Sequence, residues 1–192
     1  MRSIVSLVAL ALLAGCAGDN GAGSASIYVK DAVTDDFDEV HVVFTEVRVH
    51  AAGNDSWMLV WQNQTGADVD LLAASGDLAV FLGEAELAAG RYTQVRINAT
   101  EAYGIKDNET IPITLTNPSL KVVRSFEIED GEETRIVLDF DLEQSLHQQG
   151  QGGWRMTPVI GKTFVEVVED ESSGEDVTEE GDVVEVEGSG DA

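Results

Sequence analysis

Residues 39–51 read EVHVVFTEVRVHA, with an apolar side chain at nearly every second position. Alternation of this kind puts one side of the chain in a core and the other in water, the signature of a half-buried β-strand. Val40, Val42 and Phe44 share one parity, whereas Val47 and Val49 share the other. A bulge near Thr45 and Glu46, or a strand that changes sheets there, reconciles the two halves.

Similar text recurs as SIYVKD (26–31), SWMLVW (56–61), ADVDLLA (67–73), LAVFLG (78–83), RYTQVRINATEAY (91–103), TIPITL (110–115), LKVVRSFEIE (120–129), ETRIVLDFDL (133–142) and WRMTPVIGKTFVEVV (154–168). Turn-forming clusters such as QNQTG, KDNE, TNPS and EDGEE separate these runs. Helical periodicity is confined to a short turn around Asp141 to Gln149. Eight to ten short strands at such intervals predict an all-β fold, an antiparallel β-sandwich over residues 26–168. Asp130-Gly131 is the centre of a hairpin turn whose flanking strands contribute Phe126, Ile128, Ile136, Leu138 and Phe140 to the core. Tyr92, just after Gly90-Arg91, is expected to hydrogen-bond across a sandwich corner rather than to bind a ligand.

Charge narrows the partners. Among 192 residues, 36 are acidic and 11 are lysine or arginine, giving a formal net charge of -25. Affinity for nucleic acid rests on cations that neutralise phosphates, so nucleic acid is disfavoured. Repulsion at this density is relieved by salt or bound cations, which suits a saline habitat. Beyond Lys162 no basic residue follows while twelve acidic ones do, so 169–192 is expected to be a solvated acidic tail.

At the other end, Arg2, an apolar stretch from Ile4 to Leu13 and then Leu12-Leu13-Ala14-Gly15-Cys16 have the layout of a secretory signal over 1–15. Ten residues rise about 15 Å as a helix, half of a bilayer core, so a permanent span is not expected from it. LAGC resembles the lipobox of prokaryotic lipoproteins, which makes Cys16, the one cysteine, the expected lipidation site. Two chains on one residue anchor a protein stably. The expected location is thus the cell membrane, lipid-anchored and facing the extracellular side. The small, Gly-rich run AGDNGAGSA extends the lipidated residue into an expected flexible tether over 16–25.

Four of six asparagines sit in N-x-[ST] sequons, at Asn54, Asn63, Asn98 and Asn108, and are candidate glycosylation sites. With the acidity and the lipobox, they suit an archaeal surface protein. Carboxylates gather at Asp31, Asp35, Asp36 and Asp38 and again at Asp139 and Asp141. Calcium takes six to eight oxygens, often from loop aspartates, so these six residues are candidate calcium ligands if the first loop meets the strand end. No EF-hand pattern accompanies them, and a solvated acidic loop is the competing reading.

Catalytic constellations are not visible. His41, His50 and His147 are separated, without a second histidine at ligand spacing, and no G-x-S-x-G occurs. Trp57, Trp61 and Trp154 are candidates for a sugar-stacking platform, in competition with ordinary packing.

The order YVKDAVTDDFDEVHVVFTEVRVH, a tryptophan followed by VDLL, LAAGRYTQVRI, TRIVLDFDLEQSL and TPVI resembles the family of extracytoplasmic domains known as domain of unknown function 4382, from about Ser26 to Phe164. Val33 stands where the family pattern has proline. The resemblance implies a prealbumin- or immunoglobulin-like sandwich in an exported protein or lipoprotein; it transfers no activity and no functional residue. The resulting expectation is a non-enzymatic surface domain that binds or displays envelope glycan, protein or cation. A calcium-stabilised structural module is the alternative.

Overall fold

The computed structural model describes residues 21–31, 34–53, 56–74, 79–150 and 152–168. The leader, Cys16, Asn54 and the acidic tail, including the VVEVE run, lie outside the described residues.

The alternating segment at 39–51 is strand β2 (Glu39–Ala51), and both of its apolar parities face the core. Val40, Val42, Phe44, Val47 and Val49 are all buried. Register on both neighbours slips between Phe44 and Glu46, so a bulge at Thr45 turns the second half of the strand over, as the parity switch requires.

Among the described residues, eleven strands form two sheets. In chain order they are β1 (Ala22–Asp31), β2, β3 (Trp57–Asp70), β4 (Val80–Ala88), β5 (Gly90–Lys106), β6 (Glu109–Leu115), β7 (Ser119–Ile128), β8 (Glu133–Phe140), β9 (Leu146–Gln148), β10 (Trp154–Met156) and β11 (Ile160–Val168). One sheet has the order β11-β8-β1-β4. The other runs β3-β2-β5-β6-β10-β9, with β7 added to the free half of the same edge of β5 that β6 occupies further along. The two sheets meet through Ile27 and Val29 of β1, Ile136, Leu138 and Phe140 of β8, and the buried face of β2 and β5. Phe44 and Phe140 touch across the layers, their ring centroids 5.8 Å apart.

The sandwich is all-β, as the alternation implies, but its pairing is mixed. β1 runs parallel to β8, and β10 parallel to β6, so a purely antiparallel arrangement is corrected. Two expected strands are also redrawn. The run 154–168 breaks at Pro158, whose missing N–H cannot join a ladder, into β10 in one sheet and β11 in the other. SWMLVW and ADVDLLA instead belong to one strand, β3, because register passes from Phe44↔Ala67 to Glu46↔Gln62 and residues 63–66 bulge out opposite Thr45.

Residues 16–20 lie outside the described residues, and 22–25, read in the sequence as part of a flexible tether, belong to β1, which begins at Ala22. Small residues there serve close packing: a Cβ on Gly23 would stand 2.1 Å from the carbonyl oxygen of Glu129. The turn at 141–149 contains a single helical turn, α1 (Leu142–Ser145), capped by Asp141, whose carboxylate accepts from the Gln144 N–H. Tyr92 is buried and its hydroxyl donates to the Ala88 carbonyl at 3.0 Å, the corner role expected of it.

Candidate functional site

Side chains on the outward face of β2, β3 and β5 form two clusters, one at each end of the strands. The bulge at Thr45 lies between them.

The first cluster is cationic. Arg48 of β2 is directly opposite Arg96 of β5, which is in turn opposite Lys121 of β7. Three basic residues therefore stand in one transverse row of a strongly acidic chain. Like charges directly opposite one another repel, and the row survives through its neighbours. Glu46 meets Arg48 at 2.8 Å through Nε and 2.9 Å through Nη2, a two-point pair. Arg96 stacks on Trp57 with its guanidinium carbon 4.2 Å from the ring centroid, and His50 meets the same indole edge-on at 4.9 Å. Asn98 donates to Glu46 Oε1, the same oxygen that meets Arg48 Nε, at 3.0 Å. The hydrogen bond from Arg48 holds the Glu46 carboxyl below its ordinary pKa against its partial burial.

An open cleft of about 530 Å³ lies over Arg48 and Arg96, the first two members of this row, bordered also by Thr45, Trp57, Asn98, Thr100 and Ser119. The side-chain oxygens of Asn98 and Gln94 are buried without a protein partner. Guanidinium groups, an indole and hydroxyls are functional groups that can hold a sugar bearing a carboxylate or sulfate.

The second cluster centres on His41. Its Nε2 is 2.9 Å from Glu39 Oε2 and its Nδ1 is 2.9 Å from Asp68 Oδ1. Tyr103 stacks on the imidazole with ring centroids 4.6 Å apart and ring planes nearly parallel, and donates its hydroxyl to Asp68 Oδ2 at 2.6 Å. Asp70 stands opposite His41 in the ladder and accepts from the Val40 and Leu72 amides through Oδ1. Burial opposes a charge on His41, but the bonds to Glu39 and Asp68 outweigh it and raise its pKa. The bond to Asp68 pushes the Tyr103 phenol up to about 12.

Of the residues singled out in the sequence, His41 is thus not isolated, because β3 carries two carboxylates to it. Asp35 and Asp36 lie on the exposed loop before β2, where the Asp36 carbonyl accepts from Lys106. Asp38 receives the Asp107 amide at 2.9 Å. Asp139 pairs with Lys30 at 3.7 Å, and Asp141 caps α1. Asp31 pairs through its backbone with Phe140, and its side chain lies outside the described residues. Among the described residues, the group with metal-ligand spacing is Glu39, His41 and Asp70.

The sequons differ in setting. Asn63 lies in the bulge of β3 and accepts from both the amide and the hydroxyl of Thr65. Asn108 is exposed in the two-residue turn between β5 and β6, where Asp107 and Asn108 have φ of 51° and 65°. Asn98, in contrast, sits mid-strand with its amide donated to Glu46. Of the tryptophans, Trp57 borders the cleft, Trp154 packs against Phe37 at 4.8 Å, and Trp61 leans on the core near Gly83.

No curated protein matches the chain. Among solved structures it is similar to a candidate cell adhesion protein from Bacteroides eggerthii, with 9% identity and a TM-score of 0.34 over 77% of this chain and 54% of that one. The chain therefore spans about half the length of that protein. The family model described as Domain of unknown function (DUF4382) matches residues 22–158, from the first strand to the junction of β10 with β11, and the chain belongs to that family.

Proposed function

We propose that this protein is a lipid-anchored, extracytoplasmic, non-enzymatic binding domain that holds an acidic glycan in the cleft between Arg48, Trp57 and Arg96. The observation that carries the reading is the row Arg48–Arg96–Lys121. In a chain with 36 acidic and 11 basic residues, three cations side by side concentrate the opposite field at one place. An anion lying across the row would relieve their mutual repulsion, and the indole edge beside it offers the apolar contact that sugars take. The lipobox at Cys16 supports display outside the membrane, where such polymers occur.

Two measurements test this. Affinity electrophoresis through polygalacturonate, dextran sulfate and plain dextran should retard the chain in the two anionic gels only. The double variant Arg48→Ala/Arg96→Ala should then migrate as it does in the neutral gel. Equal retardation of parent and double variant would remove the cleft from consideration. Membrane fractionation of Cys16→Ser should separately move the protein to the soluble fraction; continued membrane retention would end the anchoring claim.

A further inference from the structure

The cluster at the other end of the same face has a different chemistry, and it stands independently of the glycan reading. Glu39, His41 and Asp70 each offer one ligand atom, and the three atoms lie within 4.8 Å of one another. We propose that these three side chains form a surface site for a divalent transition cation of the zinc class, with Asp68 and Tyr103 holding the imidazole in place.

Three features support it. Glu39 and His41 are two residues apart on one strand, so both project to the same side, and Asp70 faces them from the adjacent strand. His41 is paired on both edges, with Asp70 of β3 and Tyr103 of β5, so the central donor sits on ladder backbone rather than on a loop. The Asp70 carboxylate is fixed through Oδ1 by two backbone amides, at 3.2 Å from Val40 and 3.0 Å from Leu72, which leaves its second oxygen to turn toward a ligand.

The imidazole is oriented as metal-binding histidines are. A ligating histidine nearly always gives its other ring N–H to a carboxylate or carbonyl, which fixes tautomer and ring direction. Here Nε2 faces Glu39 while Nδ1 faces Asp68, and Asp68 is itself held by the Tyr103 hydroxyl. A metal at Nε2 would take the place of the proton shared with Glu39, leaving the Nδ1–H···Asp68 bond intact. Donor type sets the class of ion: imidazole suits zinc, nickel, copper and iron, whereas calcium and magnesium take oxygen ligands. One nitrogen and two carboxylates leave at least one position for water or an outside ligand.

Equilibrium dialysis followed by metal analysis tests the site, with zinc as the probe and excess calcium in the buffer to occupy the acidic surface. The full chain carrying Cys16→Ser is used, so that no thiol competes. One zinc per chain should be retained. His41→Gln and Glu39→Gln should each weaken retention at least tenfold, whereas Asp68→Asn should weaken it about tenfold at unchanged stoichiometry, and His147→Gln should leave it as it was. Asp70 is avoided as the primary variant because it also caps backbone amides. Cobalt in place of zinc should give a visible absorption band that disappears in His41→Gln. The proposal is overturned if His41→Gln binds zinc as tightly as its parent, if His147→Gln loses as much as His41→Gln, or if calcium displaces the zinc.

Discussion

Arg48 and Arg96 stand directly opposite each other across the β2–β5 ladder, with Glu46 gripping the first and Trp57 lying against the second. Removing one guanidinium relieves a like-charge contact, so Arg96→Ala should change folding stability by less than about 1 kcal/mol. The same substitution should weaken retardation in polygalacturonate severalfold, and what binding remains should fall less steeply with added salt. Urea unfolding and electrophoresis on one preparation separate the two effects.

Glu46 predicts a pH dependence. Its folded pKa is depressed by Arg48, so its contribution is present above the unfolded carboxylate value and is lost as pH falls through the folded one. The urea midpoint of the parent should therefore drop through the acid range more than that of Glu46→Gln, which lacks this titration. Near neutral pH the variant should be the less stable by roughly 0.5–1.5 kcal/mol, because Arg48 and the Asn98 amide lose a charged acceptor. Parallel titrations from pH 3 to about 7 give the comparison.

Tyr103 behaves with the opposite sign. Its phenol is raised to about 12 by the bond to Asp68, so this contribution to stability is intact below the ordinary tyrosine value and disappears as pH climbs through the folded one. Ultraviolet titration of the folded protein should show a tyrosine that ionises last, and Asp68→Asn should bring that step back toward the normal value of about 10.

Packing at the first strand gives a test by substitution. Gly23→Ala would put a methyl group 2.1 Å from the Glu129 oxygen and 2.8 Å from that of Glu132, both backbone atoms. A cost of about 1–3 kcal/mol is expected from such overpacking. Gly150→Ala meets open space and should leave the urea midpoint within about 0.5 kcal/mol of the parent.

Tyr92→Phe removes the bond to the Ala88 carbonyl while keeping the stacked contact with Phe126 at 5.5 Å. Loss of about 1 kcal/mol is expected in calorimetry, without a change in fold.

Much of this fold is written in alternation. Apolar parity along 39–51 contains the bulge at Thr45, but the hairpin expected at Asp130-Gly131 is corrected: the turn carries the chain from β7 in one sheet to β8 in the other, and the two strands pair with β5 and with β1 and β11 instead of each other. The glycines at 21–23 mislead because flexibility and close approach favour the same residue type, and only the neighbouring 129–132 turn decides between them. The His41 cluster is half legible: E-x-H at 39–41 and D-x-D at 68–70 each put two donors on one side of a strand. What brings them together is the His41↔Asp70 register, and pairing between strands nearly thirty residues apart is not encoded in either run alone. Arg48, Arg96 and Lys121 were equally invisible as a set, for the same reason.

Under the proposed anchoring at Cys16, the position of β1 decides how load would enter the fold. It is an interior strand, hydrogen-bonded to β4 on one side and β8 on the other, and it starts six residues after Cys16. If the cleft holds a polymer as proposed, a drag force transmitted to that end would load two ladders at once in sliding rather than peeling one edge open rung by rung.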